Sequence, residues 1–276
     1  MLLLPLAESS GDAEGGFHAP SIADFFPPYI IPWGAQPGDA VPFYAVDRVM
    51  LVRIVMTVAL IGLFAYLARR AATVPGRRQN LAELALDFVR VQIVEQVMGA
   101  KGARFVPMVS VLFFSIFAMN IAGIIPFLNI AGTSRVGYPL VCALWVFVTY
   151  LVVGVKAHGA GRYLKQSLFP AGVPWIMYIL ITPIEFLQVF VFRPLTLALR
   201  LLANMIAGHL MLVLCFTAST FLLLEGGGPV IKFTGLLTAV AGLGITLFEM
   251  LVAVLQAYIF ALLAAVYLNM ALEEEH

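Results

Sequence analysis

Glu225-Gly-Gly-Gly-Pro229 separates two long apolar runs, Pro174–Leu224 and Pro229–Leu272, and its reading decides the fold. Three glycines followed by a proline do not continue a helix, so the stretch reads as a turn. Each flanking run is too long for one upright membrane helix. About 20 apolar residues cross a hydrocarbon core of about 30 Å, whereas about 40 helical residues extend for about 60 Å. The two runs are therefore expected to form a helical hairpin steeply tilted against the bilayer.

Upstream, Val49–Ala68, Phe105–Leu128 and Pro139–Val155 read as three ordinary spans, which makes about five crossings in an all-α polytopic membrane protein. Composition agrees, because 62% of residues are hydrophobic, 11% are charged and the mean hydropathy is +1.00, outside the balance of soluble domains. Asn80-Leu-Ala-Glu83 has the form of a capping box, and Glu83, Asp87 and Arg90 make a polar stripe through apolar sequence. Residues 80–99 are accordingly expected as an in-plane amphipathic helix at the inner surface. Residues 48–276 form the membrane domain on this reading. Residues 1–47 are an outer Pro/Gly-rich segment, with Pro27-Pro28, Pro32, Pro37 and Pro42, expected to act as a cap or partner contact.

Orientation follows from the basic residues. Met1–Asp47 contains no Lys or Arg, whereas Arg69, Arg70, Arg77 and Arg78 follow the first span and Lys156, Arg162 and Lys165 follow the third. Positive charge stays inside, so the N-terminus is expected outside and the C-terminus in the cytoplasm. Arg53 and Lys232 fall near outer ends of their runs and are expected to snorkel. The first residues lack a basic n-region, so no cleaved signal peptide is expected. A net charge of +1 gives no reason to propose nucleic acid, and Cys142 and Cys215 read as small core hydrophobes. Gly242 and Gly244 read as packing positions.

The chemistry lies in a few polar residues within apolar sequence. Arg200 sits in Arg193-Pro-Leu-Thr-Leu-Ala-Leu-Arg-Leu-Leu-Ala-Asn-Met-Ile-Ala-Gly-His209. A mid-bilayer Arg costs roughly 2.5–3.5 kcal/mol even on lenient scales and cannot shed its proton, so it needs a polar cavity or a carboxylate partner. At 100° per residue Arg193, Thr196, Asn204 and Gly208 share its face, while His209 falls opposite and about 13 Å along the axis. Arg193, just before Pro194, also reads as a boundary residue held by backbone carbonyls. Glu249 and Gln256, seven residues apart, are nearly eclipsed on the last run and face the first if a hairpin forms. Glu185 and Gln188 lie nearer the inner end. With no phosphate-binding loop, metal cluster or nucleophile set, no metal or cofactor is expected, and what remains is proton or cation handling.

These residues closely resemble subunit a of the rotary F-type ATP synthase, from the first span to the C-terminus. Pro194-Leu-Thr-Leu-Ala-Leu-Arg200-Leu-Leu-Ala-Asn204-Met-Ile-Ala-Gly208-His209 is similar to the arginine helix of that family, and Leu255-Gln256-Ala-Tyr-Ile-Phe-Ala-Leu-Leu-Ala-Ala-Val-Tyr267-Leu to its last helix. Asn80–Gly99 and Met119-Asn120-Ile-Ala-Gly-Ile-Ile-Pro126 match weaker family signatures. The resemblance implies that Arg200 is the obligatory arginine, that Gln256 lies near it, and that His209 and Glu249 belong to an outer half-channel. Some members carry the acid and the imidazole in exchanged positions. By the same resemblance Asn120 lines the outer half-channel and Glu185 serves the inner one.

The implied function is a proton-translocating stator subunit without nucleotide chemistry of its own, in an energy-coupling membrane such as the bacterial plasma membrane. Its implied partners are a c-subunit ring, the peripheral stalk b subunits, other ATP synthase subunits and the lipid bilayer. The alternative is a self-contained proton-coupled secondary transporter, against which stands the lack of a convincing inverted repeat.

Overall fold

The computed structural model describes residues 29–31, 46–69, 76–125, 128, 130–169, 177–225 and 227–272. Most of the 1–47 segment, and with it the expected cap, lies outside them. Its described parts are two short strands, β1 (Tyr29–Ile31) and β2 (Val46–Asp47), paired antiparallel with Tyr29 opposite Asp47.

The other described residues are mostly helical. In chain order come α1 (Arg48–Arg69), α2 (Arg77–Asp87), a π-helical segment Phe88–Glu95, α3 (Gln96–Met98), a 3-10 segment Gly99–Phe105 and α4 (Val106–Ile121). Then follow α5 (Gly137–His158), α6 (Ala160–Leu168), α7 (Tyr178–Leu187), a second π-helical segment Gln188–Phe192, α8 (Arg193–Leu224) and α9 (Pro229–Leu272). Among the described residues, five helical stretches are long and apolar enough to cross a membrane, namely Arg48–Arg69, Arg77–Ile121, Gly137–His158, Tyr178–Leu224 and Pro229–Leu272. The protein is an all-α polytopic membrane protein.

The hairpin expected around Glu225–Pro229 is present, and the facing pairs define an antiparallel seam. Ser219 Oγ donates to the Gly235 carbonyl at 3.0 Å, Gly242 lies against Cys215, Gly208 against Glu249, and Asn204 bonds to Gln256. The inward stripe of α9 is mostly small, with Ala253, Ala257, Ala261, Ala264, Ala265 and Ala271 all buried. Small residues let helix backbones approach where no hydrophobic effect drives association, and α4 and α5 close on this stripe through Val109, Leu112, Ile116, Val146 and Tyr150.

Several expectations need correction. Asn80 does not cap a helix, because α2 already starts at Arg77 after Gly76 and the Asn80 N–H bonds back to the Gly76 carbonyl. Glu83 instead accepts from Gln79 Nε2 at 2.7 Å. The amphipathic stretch is nonetheless a separate element from the span that follows. Gly99, at φ 57°, turns the chain, and Val94 packs so tightly on Gly102 that a Cβ there would meet its Cγ1 at 2.6 Å. The second span ends at Ile121 rather than Leu128. Residues 130–134 fold back on its end, the Gly132 N–H bonding to the Met119 carbonyl at 3.1 Å and Thr133 Oγ1 donating to Asn120 Oδ1 at 2.7 Å.

That fold-back also gives Arg53, expected to snorkel, partners within the protein. Its Nε donates to the Gly132 carbonyl at 2.7 Å and its guanidinium lies 5.9 Å from the centre of the Tyr138 ring. Carbonyls freed at a loop are better partners than distant water. Asp47 is the N-cap of α1, accepting from the Met50 N–H at 2.6 Å, and it also pairs with Arg135. Gly242 is a packing position as expected, but Gly244 is exposed, with open space where a side chain would stand.

Candidate functional site

The site forms where the α8–α9 seam meets the end of α4. Along α8 the residues Leu197, Ala198, Leu201 and Met205 turn inward, which is the i, i+4 spacing of one helix face. The other face, carrying Thr196, Leu199, Arg200, Ala203, Asn204 and Ala207, is exposed. Arg200 therefore stands on the open side of the hairpin. It makes no ion pair or hydrogen bond with a described residue.

Beside it lies a half-open cavity of about 350 Å³, whose polar lining is Asn120, Arg200, Asn204, Glu249 and Gln256. At ~30 Å³ of liquid volume per molecule this is space for on the order of ten waters. Its apolar walls include Met205, Met211, Phe248 and Ile259. Asn204 Nδ2 donates to Gln256 Oε1 at 2.8 Å, so each amide orients the other. Asn120 is held from behind by Thr133, a fully buried partner that sequence reading missed.

Glu249 is 4% exposed, and neither of its carboxyl oxygens accepts a hydrogen bond from a described residue. An ion in that position is costly unless solvated or paired, so the group is suited to hold or pass a proton. Gly208 gives it room. A Cβ at 208 would lie 3.3 Å from Glu249 Oε1 and 3.5 Å from its Cδ. Gly208→Ala should therefore displace this carboxyl while leaving α8 helical. The check is the infrared carboxyl band of Glu249 compared between the chain and the variant, and an unchanged band would show that Gly208 does not set the carboxyl position.

The remaining candidates lie apart. His209 is half-buried, is not in the cavity lining, and has Arg48 as a charged neighbour. Its position follows from its place one residue, and so about 100°, beyond Gly208. Glu185 is half-buried on α7, also outside the lining. Arg193 does not share the cavity with Arg200; its guanidinium stands 5.4 Å from the centre of the Tyr267 ring, a cation–π contact in place of the expected carbonyls. Thr196 turns its hydroxyl back to the Phe192 carbonyl at 2.6 Å.

Residues 50–269 match the family model described as ATP synthase A chain. The chain is 45% identical over 266 residues to ATP synthase subunit a of Rhodococcus erythropolis, covering 96% of this chain and 94% of that protein. The chain belongs to the ATP synthase subunit a family. To the subunit a of Pseudarthrobacter chlorophenolicus it is 35% identical over 275 residues, covering 99% and 98% of the two chains. To that of Hyphomonas neptunium it is 39% identical over 218 residues, covering 79% and 83%. As a subunit a family member, this chain has other ATP synthase subunits as its partners. The family match runs from the first turn of Arg48–Arg69 to within three residues of the end of Pro229–Leu272 and takes in the whole lining of the Arg200 cavity.

Proposed function

We propose that this chain is the proton-translocating stator subunit of the Fo sector, offering two offset half-channels to carboxylates carried on a ring of c subunits. The observation that carries the reading is Arg200, exposed on the open face of the hairpin, without an ion pair or hydrogen bond to a described residue, at the edge of a cavity that also holds Glu249. A membrane-embedded cation with no partner among the described residues calls for one from outside, and a rotor carboxylate has the right charge.

On this reading protons enter past His209, Glu249 and Asn120 and neutralise a ring carboxylate. After rotation they leave through an inner half-channel near Glu185. Asn204 and Gln256 keep the surroundings of Arg200 polar while the ring passes. The fixed charge of Arg200 opposes direct proton flow between the half-channels and strips the proton from each arriving carboxyl. Moving one charge gains about 2.3 kcal/mol per 100 mV, so several must be pooled mechanically for each ATP. The chain itself performs no nucleotide chemistry. The basic clusters after the first and third spans support an N-terminus outside and a C-terminus in the cytoplasm of a bacterial cell, with residues 80–99 along the inner surface and the peripheral stalk b subunits as further partners.

The face is testable. Single cysteines at Leu199 or Ala203, on the open side, should form disulfides with a cysteine placed beside the c-subunit carboxylate, whereas cysteines at the buried Leu197 or Leu201 should not. Equal cross-linking from both faces, or none in an intact complex, would overturn the assignment. A self-contained transporter would need no such partner.

A further inference from the structure

Helix α8 begins at a defect that its own sequence creates. In the π-helical segment Gln188–Phe192 the Arg193 N–H bonds to the Gln188 carbonyl, five residues back. The next donor in that pattern would be residue 194, aimed at the Val189 carbonyl. Residue 194 is proline and has no N–H. The Val189 carbonyl is thus left without a helix donor on a residue only 3% exposed. Tyr150, from α5 and 1% exposed, donates its hydroxyl to that oxygen at 2.7 Å.

The tyrosine is itself held firmly. Its ring meets Phe147 edge-on at 5.4 Å and Tyr267 of α9 at 6.1 Å, and Tyr267 in turn underlies Arg193. Phe147 also meets Phe190 within the π-helical segment, at 6.2 Å. Three helices are therefore joined at one point, the start of the arginine helix. A π turn carries one residue more than an α turn, so its reversion would rotate everything beyond it by about 100° and shift it by about 1.5 Å. Arg200 lies two turns, about 10.5 Å, past Arg193 and nearly in line with it. A rotation of that size would carry Arg200 off the open face.

We propose that Tyr150 is a positioning residue for Arg200: by bonding to the carbonyl that Pro194 leaves without a donor, it holds the π turn and fixes the face on which Arg200 is displayed. The proposal rests on the reading of Arg200 given above. It makes a pairing claim that simple packing does not. Tyr150→Phe keeps the ring and removes the bond, whereas Pro194→Ala restores an N–H that can reach the Val189 carbonyl without help from Tyr150.

The experiment is a double-mutant cycle in assembled ATP synthase, with proton pumping in inverted vesicles and amide hydrogen exchange of residues 184–200 read on the same preparations. Tyr150→Phe should lower pumping about fivefold or more, the population shift expected for an orphaned buried carbonyl, and raise exchange in that segment. In the Pro194→Ala background the same tyrosine change should alter neither pumping nor exchange. Overturning results are a Tyr150→Phe complex indistinguishable from wild type in both readouts, or a tyrosine effect of equal size with and without Pro194. Should Pro194→Ala pump poorly by itself, the exchange cycle alone decides, since it needs no activity. Normal pumping by Arg200→Ala would defeat the reading of Arg200, while the exchange cycle would still judge the clamp.

Discussion

Arg200→Ala should abolish ATP-driven acidification of inverted vesicles at equal assembly, and passive proton leak should rise. Two physical terms set the size of the loss. A guanidinium beside a carboxylate lowers its pKa by about 1–3 units, and each unit is worth 1.36 kcal/mol, so without it the rotor carboxyl would retain its proton about 10- to 1000-fold more strongly. The same substitution removes the fixed charge that opposes protons passing between the two half-channels. Arg200→Lys should fall between, since an ammonium keeps the charge but can deprotonate when buried and lacks the planar fork. Dye-quenching traces of wild type and both variants, with intact complex verified, make the comparison. Wild-type pumping by Arg200→Ala would leave the cation as a structural feature only.

Glu249→Gln should give the second-largest effect. The change preserves volume and polarity at a position 4% exposed but removes the ability to take and return a proton. General acid–base groups contribute typically 10²–10⁴-fold, and water in a cavity of this size can substitute in part, so a fall in pumping of about 10- to 100-fold is expected. Glu249→Asp should recover some of it, because the carboxyl remains though drawn back by one methylene. The decisive readout is the pH dependence of the rate rather than its level. A Gln variant with the wild-type pH–rate profile would exclude Glu249 from the proton path, whatever its effect on the maximum.

The hairpin was legible because it follows from length and breakers alone: two apolar runs and Glu225-Gly-Gly-Gly-Pro229 leave the chain little choice. Arg200 was legible because an unshielded cation inside such a run is costly wherever the helix sits. The 100° rule also separated Gly208, which faces the cavity, from His209, which does not. What escaped was set by partners far apart in sequence. Arg53 bonds to Gly132 and Asp47 to Arg135, separations of 79 and 88 residues that no local pattern announces. Asn80 was misread for the opposite reason, as a capping-box spacing is short enough to arise inside a helix that began earlier. Pro194 was a visible signal, yet its consequence lay on another helix, at Tyr150.

Helix α1 is buried only at Val49 and Val52, both in its first turn and a half, next to the Asp47 cap and its pairing with Arg135. Mechanically it is a rod clamped at its start and resting on α4 further along, where the Phe64 ring meets that of Phe114 at 5.1 Å. Its 22 residues make a lever of about 33 Å, so a tilt of about 10° at the clamp moves the Arg69 end by about 6 Å. A change in bilayer thickness would thus load α1 and its Phe64–Phe114 contact before it reaches the cavity around Arg200, whose walls come from α4, α8 and α9.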